Sequence, residues 1–242
     1  MIRALLFDLD GTLVDIDGDA FLDAYVDELA HHLASVVDPA QFVDALMSAA
    51  APLLTRPHRD ETNREVLWAA LAETLEVPLA KLTRGRDAFP HARLPLILPG
   101  GQAQEGAHAV IAAARRRGLS LAVATMPIYP LPVIHERLRR GGFEDIPWDF
   151  IANEEMHAVK PHREFFHEVA ERLGVSPDEC LMVGNDYFQD IAARRYGLAT
   201  YYIGPALAGV NVGPSGTLTE FAARVEAGLP RHASRRTAAR TP

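Results

Sequence analysis

The sequence predicts an α/β fold, a doubly wound parallel sheet with an inserted all-helical segment. Three observations lead to this prediction. Short apolar runs without polar alternation recur along the chain, amphipathic segments separate most of them, and a stretch without a convincing strand follows the first run. Runs of this kind are typical of strands that are buried on both faces of a parallel sheet. With 242 residues, the chain is long enough to bury a substantial core.

Five apolar runs are predicted to be strands, over residues 2–7, 119–125, 149–153, 180–184 and 199–204. Three helices are predicted around them, over about 103–117, 161–173 and 187–196. Each of these helical patterns is followed by a glycine, the residue favoured just past a helix C-terminus. Strands that alternate with helices in this way indicate parallel pairing through crossover connections.

The segment of residues 17–96 differs from the rest because its apolar residues recur only at helical spacing. Phe21, Tyr25 and Leu29 share one helix face, and Thr62 with Glu65 has the spacing of a capping box. Such a segment is too long for an ordinary connection between two strands. We therefore expect a helical unit over residues 17–96 and an α/β core formed by residues 1–16 and 97–227.

Charge and composition restrict the classes of partner. The net charge is −8, and residues 228–242 contain four arginines and no acid, so the preceding residues carry −12. An acidic body argues against nucleic-acid binding, and residues 228–242 are predicted to be a disordered basic tail. No signal-peptide pattern and no apolar run of membrane-spanning length is found in the sequence, which favours a cytoplasmic protein without a membrane partner. The single cysteine, Cys180, is predicted to be a buried thiol, and the oligomeric state is not predicted.

Polar residues follow the predicted strands where a ligand would bind. In an open α/β sheet, ligands bind beyond the carboxyl ends of the strands. Asp8 and Asp10 follow the first strand, Thr125 ends the second, Lys160 precedes a helix, and Asp186 and Asp190 follow the fourth strand. Each has an ordinary structural interpretation, such as a turn at Asp10-Gly11 or a helix cap at Asp186. Their common position at one edge favours a functional site.

The chemistry of this set indicates a magnesium site that handles phosphate. Clustered carboxylates suit a hard cation, and Mg²⁺ commonly shares its coordination shell with water and a substrate phosphate. A lysine and a hydroxyl group beside the ion would neutralise and orient that phosphate. The residues therefore suggest phosphoryl transfer through an aspartyl-phosphate.

Four motifs in chain order resemble those of the haloacid dehalogenase-like hydrolase superfamily. These are DLDGT from Asp8 to Thr12, the hydroxyl of Thr125, Lys160 in VKPHREFF, and GNDYFQD after the fourth strand. The resemblance covers about residues 1–16 and 97–225. It implies a Rossmann-like core, and residues 17–96 resemble the helical type-one cap of that family.

The resemblance also implies a role for each matching residue. Asp8 would attack phosphorus, while Asp10 would protonate the leaving group and then activate water. Thr125, the backbone N–H of Met126 and Lys160 would hold the phosphoryl oxygens. Mg²⁺ would be bound by Asp8, by the backbone carbonyl of Asp10, and by Asp186 or Asp190.

Two departures from the family pattern affect these roles. Met126 stands where many members have asparagine, so only its backbone could contact the phosphoryl group. Asn185 directly follows the glycine of the fourth motif, so the choice between Asn185, Asp186 and Asp190 as metal ligand is open, with Asp186 preferred.

The predicted function is hydrolysis of a small phosphorylated metabolite by a Mg²⁺-dependent phosphatase. A phosphomutase or other phosphotransferase would keep every motif. A haloacid dehalogenase would use Asp8 but typically lacks the second acid, Asp10, and a non-enzymatic binding protein would not need both acids.

Substrate choice is expected to lie in the cap, because the core contacts only the phosphate. The candidate residues form a basic cluster of Arg56, His58, Arg59 and Arg64, although an ordinary solvated loop explains them equally well. Hinges are expected near residues 14–18 and 92–99, since a lid must open to admit substrate.

Overall fold

The fold is a six-stranded parallel sheet with helices on both faces. The structure is a computed structural model, and it describes residues 1–58, 60–97 and 100–229. The strand order is β3-β2-β1-β4-β5-β6. The strands are β1 (Ala4–Phe7), β2 (Ser120–Val123), β3 (Phe150–Ile151), β4 (Cys180–Gly184), β5 (Ala199–Ile203) and β6 (Ser215–Gly216). The predicted fold class is confirmed, and residues 230–242 of the predicted tail lie outside the described residues.

The first strand occupies the centre of the sheet because it pairs on both sides. Leu5 lies opposite Leu121 of β2 and opposite Leu181 of β4, in parallel register. All four residues of β1 are fully buried. Such burial on both faces is the reason that this strand is apolar throughout. The five predicted strands are present, and β6 is a further strand of two residues at the edge of the sheet.

Nine α-helices are found within the described residues. They are α1 (Gly18–His32), α2 (Pro39–Thr55), α3 (Asn63–Thr74), α4 (Leu79–Asp87), α5 (Leu94–Ile97), α6 (Ala107–Arg116), α7 (Leu131–Arg140), α8 (Arg163–Arg172) and α9 (Leu218–Ala227). The first six lie between β1 and β2, and α1 to α5 begin within residues 17–96, so the described part of the insert is helical. The sequence did not single out α7 or α9. The division into a core and a separate cap unit stays a prediction.

Two apolar clusters cover the two faces of the sheet. One packs α8 onto the sheet through Phe165, Phe166 and Val169. The other joins the sheet to α6, α7 and α9, and it extends into the insert through Phe21 and Tyr25 of α1. The insert and α7 therefore belong to one apolar cluster, which covers the same face of the sheet.

The helix predicted over residues 187–196 is only partly present. A turn occupies residues 187–190, and a 3₁₀ helix follows over Ile191–Tyr196. The Asp186 carboxylate accepts hydrogen bonds from the backbone N–H groups of Phe188 and Gln189, at 2.7 and 2.9 Å. This is the bonding pattern of a helix N-cap, which Asp17 and Asp38 show at the starts of α1 and α2. The cap predicted at Asp186 is therefore present, but an α-helix does not follow it.

Two composition-based expectations can be compared with the described residues. Cys180 is a fully buried free thiol, as predicted. Burial raises its pKa to about 12. No helix in the described part of the chain combines the length and apolar character needed to cross a bilayer.

Candidate active site

The carboxyl ends of β2, β1 and β4 meet at the centre of one sheet edge. Asp8 directly follows β1, and its backbone N–H donates to the carbonyl of Val183 in β4 at 2.9 Å. The backbone N–H of Ala124, next to Thr125, donates to the carbonyl of Phe7 at 2.6 Å. These bonds continue the sheet pairing past the ends of the strands. They fix the backbone of Asp8 and the approach to Thr125.

Lys160 links two of the predicted carboxylates. Its Nζ lies 2.7 Å from Asp8 Oδ1 and 2.7 Å from Asp190 Oδ1. Lys160 is 2% exposed and Asp190 is fully buried. Burial alone would lower the pKa of Lys160, but the charges of Asp190 and Asp8 outweigh it and raise that pKa above its usual value. The lysine is therefore an ammonium that two acids share.

Asp190 and Asp186 do not occupy equivalent positions. Asp190 points inward, and its Oδ2 accepts the backbone N–H of Asp186 at 3.0 Å. Burial raises the pKa of Asp190, although the charge of Lys160 acts in the opposite direction. Gly184 makes this arrangement possible, because a Cβ there would lie 2.1 Å from Asp190 Oδ2. Asp186 instead uses one carboxylate oxygen to close the turn that follows it.

The loop after β1 brings a further pair of oxygens together. Thr12 Oγ1 lies 3.3 Å from Asp8 Oδ2 and 3.2 Å from Asn185 Oδ1. A hydroxyl group has one proton and can donate it to only one of these oxygens at a time. Gly11 has a φ of +73°, and a Cβ at this position would lie 2.3 Å from Asn185 Nδ2. Glycine therefore serves both the turn and the close approach of Asn185.

Asp10 has a partner that the sequence analysis did not single out. Its Oδ2 accepts a hydrogen bond from Nη1 of Arg137, a fully buried residue of α7. The Arg137 guanidinium also lies over the rings of Tyr129 and Phe21, at 4.5 and 5.0 Å from their centroids. Burial raises the pKa of Asp10 in spite of the arginine charge beside it.

A signal for Arg137 was present in the sequence. In α7, positions 133, 134, 137 and 138 fall on one helix face, and Val133, Ile134 and Leu138 are apolar and buried. An arginine at the remaining position, 137, must be buried with them and needs an acidic partner. The helical period of 131-LPVIHERLRR-140 is thus sufficient to predict that Arg137 is buried.

The remaining predicted residues lie at the same edge or in the insert. Thr125 is 2% exposed, and Met126 next to it is half-buried. In the basic cluster, Arg64 Nε pairs with Glu155 at 3.3 Å and Arg56 is exposed, while Arg59 lies outside the described residues.

Two cavities lie beside the insert. One of about 260 Å³ lies between insert and core, and Tyr25, Arg86 and Glu154 line it. The other, of about 770 Å³, lies between α5, α7 and β3, and neither of these two cavities is lined by a predicted site residue.

The oxygen atoms at this edge fit Mg²⁺ better than a softer metal. Among the described residues, no three His, Cys, Asp or Glu side chains converge as a metal cluster. Oxygens of Asp8 and Asn185 both lie near the Thr12 hydroxyl, at 3.3 and 3.2 Å. An all-oxygen set with few protein ligands suits an ion that keeps water and substrate in its shell. The Asp190 carboxylate is already bound by Lys160 and a backbone N–H.

Comparison with known proteins decides the family. The family model for haloacid dehalogenase-like hydrolases matches residues 2–196. The chain belongs to this family. The predicted resemblance is therefore confirmed, and so is the prediction that the protein is an enzyme of the hydrolase class.

Individual relatives and solved structures agree with this assignment. The YhcW protein of Bacillus subtilis, which carries a phosphatase name, is 27% identical over 198 residues, 82% of this chain and 81% of its own length. A phosphoglycolate phosphatase of Yersinia pestis is 26% identical over 240 residues, 95% of this chain and 94% of its own.

Structural similarity supports the same fold but no single activity. CbbY from Rhodobacter sphaeroides in complex with phosphate has a TM-score of 0.56 at 21% identity, over 91% of this chain and 96% of that chain. An L-2-haloacid dehalogenase from Xanthobacter autotrophicus has a TM-score of 0.53 at 18% identity, over 95% of this chain and all of that one. The fold alone therefore does not choose between phosphate and haloacid chemistry.

Proposed function

We propose that this hydrolase is a Mg²⁺-dependent phosphatase that acts on a small phosphorylated metabolite through an aspartyl-phosphate intermediate. The observation that carries the proposal is the pairing of Asp8 with the buried ammonium of Lys160, with a second acid, Asp10, two residues away. The phosphatase names of the relatives in Bacillus subtilis and Yersinia pestis support it.

In the first half of the proposed reaction, a carboxylate oxygen of Asp8 attacks phosphorus. The bond between phosphorus and the leaving oxygen breaks, and the Asp10 carboxyl group donates its proton to that oxygen. Lys160, Thr125 and the backbone N–H of Met126 stabilise the charge on the phosphoryl oxygens. In the second half, Asp10 accepts a proton from water, which attacks phosphorus and releases phosphate and the Asp8 carboxylate.

The environment of Asp10 suits a group that must both donate and accept a proton. Burial raises the pKa of Asp10, which favours its protonated form, while Arg137 favours its carboxylate. General acids and bases work best when neither form is strongly disfavoured. These opposing influences support the assignment of both proton transfers to Asp10.

Mg²⁺ would be held by Asp8, by the backbone carbonyl of Asp10, and by Asn185 or Asp186. The bound ion supplies positive charge that offsets repulsion between an anionic nucleophile and an anionic phosphate. Asp190 is a weaker candidate ligand because its carboxylate is committed to Lys160 and to the N–H of Asp186.

The insert would select the substrate. Tyr25 and Arg86, both in the insert, line the cavity of about 260 Å³ next to the core. Its volume lies slightly below the roughly 300–1,000 Å³ of typical ligand pockets, and its lining does not include Asp8. A phosphomutase would use the same core residues and would differ in the residues that line this space.

The decisive experiment compares the wild-type protein with Asp8→Asn. With p-nitrophenyl phosphate and Mg²⁺, the wild type should release phosphate and Asp8→Asn should lose activity by about 10³-fold or more, since the nucleophile is removed. The matched control is Asp44→Asn, an exposed aspartate of α2. It should behave as the wild type.

Two outcomes would each exclude one part of the proposal, and a third would replace it. Activity that persists in Asp8→Asn excludes the nucleophile, and activity that is unaffected by a chelator excludes the metal. Halide release from a 2-haloacid without any phosphatase activity would establish the dehalogenase alternative instead.

A further inference from the structure

Asn63 is a buried polar residue that the proposed chemistry does not use. It is the first residue of α3 in the insert and is only 1% exposed. The helix does not need its side chain, because Thr62 and Glu65 already form a reciprocal capping box. A buried amide at such a position needs another explanation.

The Asn63 side chain joins two loops of the core. Its Nδ2 donates to the carbonyl oxygens of Pro127 and Ala158, each at 3.1 Å. An amide nitrogen has two hydrogens, so one side chain can satisfy both carbonyls at once. Pro127 is two residues after Thr125, and Ala158 is two residues before Lys160. The amide therefore lies between the two loops that carry the proposed phosphoryl-binding groups.

The backbone around Asn63 reinforces this connection. The N–H of Asn63 donates to the Met156 carbonyl at 2.6 Å, and the N–H of Arg64 donates to the Glu154 carbonyl at 2.9 Å. The first N–H groups of a helix have no partners inside that helix. Here the segment that leads to Lys160 supplies those partners. The start of α3 is thus attached to residues 154–158 at several points.

The loop that carries Lys160 has the greater need of such an attachment, because Lys160 lies well beyond the end of β3. Strand β2 ends at Val123 and β3 ends at Ile151, so ladder hydrogen bonds do not fix Lys160. The Asn63 side chain uses both of its donor hydrogens on carbonyl groups of the two loops.

We propose that Asn63 is a positioning residue that sets the separation of Thr125 and Lys160, so that the phosphoryl site is complete only while α3 is docked on the core. This inference rests on the proposed phosphatase function. It assigns a direct structural role in phosphate binding to the insert, in addition to any contact with the rest of the substrate.

The test uses Asn63→Asp and Asn63→Ala. Asn63→Asp keeps the shape but places carboxylate oxygens against two carbonyl oxygens, so it should reduce kcat/KM for p-nitrophenyl phosphate by about 10²-fold. Asn63→Ala should weaken binding of inorganic phosphate, measured by calorimetry in the presence of Mg²⁺. Both variants should also show faster amide hydrogen exchange in residues 125–129 and 156–162.

Two controls separate positioning from general destabilisation. Thr217→Ala removes the matching capping box of α9 and should lower the urea midpoint while kcat and KM stay unchanged. Asn211→Asp changes an exposed asparagine whose Oδ1 only accepts a backbone N–H, and it should match the wild type throughout.

The readouts also separate this inference from the proposed function. Folded Asn63 variants with wild-type kinetics and wild-type exchange in both loops would overturn the positioning role. Faster exchange in those loops together with a wild type that releases no phosphate would support the attachment and overturn the phosphatase assignment.

Discussion

Arg137 is fully buried beside Asp10, the proposed general acid, and its charge favours the ionised form of that residue. It has no exposed surface, it contacts Asp10, and its Nε and Nη2 have no hydrogen-bond partners among the described residues. A buried cation with unsatisfied donors is costly unless a charged partner offsets the cost. Asp10 is that partner. The stability of the fold and the protonation state of Asp10 therefore depend on the same contact.

Replacement of Arg137 by methionine should therefore destabilise the protein. Arg137→Met leaves Asp10 without its charged partner, and the free energy of unfolding in urea should fall by about 3 kcal/mol. The double variant Asp10→Asn with Arg137→Met should recover part of that loss, because no charge is then left unpaired. An Arg137→Met protein with the wild-type urea midpoint would contradict this account.

At the scale of elements, the sequence was most informative where burial is complete. The strands at 2–7 and 180–184 were predicted because both faces of each are apolar, and this pattern does not depend on tertiary detail. The same reasoning located Asp8 and Lys160 at one edge before any contact was known. It did not reveal that Asp190 turns inward while Asp186 closes its own turn.

The error over residues 187–196 has a physical cause. Helical spacing at Asp186 and Asp190 suggested one shared helix face, and Asp186 does accept the N–H groups of Phe188 and Gln189 as a helix cap does. Asp190 instead turns inward to the distant residue Lys160, and only a 3₁₀ helix follows. Periodicity does not report such a tertiary partner.

Gly184 at the end of β4 gives a prediction at this scale. Gly184→Ala would place a Cβ 2.1 Å from Asp190 Oδ2, which must then move away from Lys160. We expect the free energy of unfolding to fall by about 2 kcal/mol in urea denaturation. The matched control, Gly18→Ala, adds a Cβ in ordinary contact distance of Asp10 and should be tolerated. Equal loss in both variants would contradict the steric explanation.

At the scale of the whole molecule, buried acidic groups predict sensitivity to alkali. Burial raises the pKa values of Tyr25, Tyr129 and Cys180 to about 12 each. A raised folded-state pKa gives stability that is complete below the unfolded pKa and is lost as pH rises through the folded value. Stability should therefore decline from about pH 9 upward, by about 1.4 kcal/mol per pH unit for each group beyond its unfolded pKa.

Urea unfolding at pH 8 and pH 11 tests this expectation, with Tyr129→Phe as the comparison. Phenylalanine cannot ionise, so this variant should lose less stability between the two pH values than the wild type. If both proteins lose the same amount, Tyr129 does not contribute to the alkaline transition.

Opening of the insert at the expected hinges, near residues 14–18 and 92–99, would involve the whole molecule. Residues 98 and 99 of the second hinge lie outside the described residues. Near the first, the N–H of Asp15 donates to the Gln102 carbonyl at 2.8 Å. Opening would also have to break the ion pair between Arg86 of the insert and Glu154 of the core. Lid motion stays a prediction, which hydrogen exchange with and without a phosphate analogue would test.

The buried thiol of Cys180 makes that motion accessible to spectroscopy. Because it is the one cysteine of the chain and is fully buried, maleimide dyes should react with cysteines introduced at the surface and leave Cys180 unmodified. Met47 of α2 and Val210 of the core are both exposed. Cysteines placed at these two positions would carry a donor and an acceptor fluorophore without prior removal of a native thiol, so single-molecule energy transfer could follow the insert relative to the sheet during turnover.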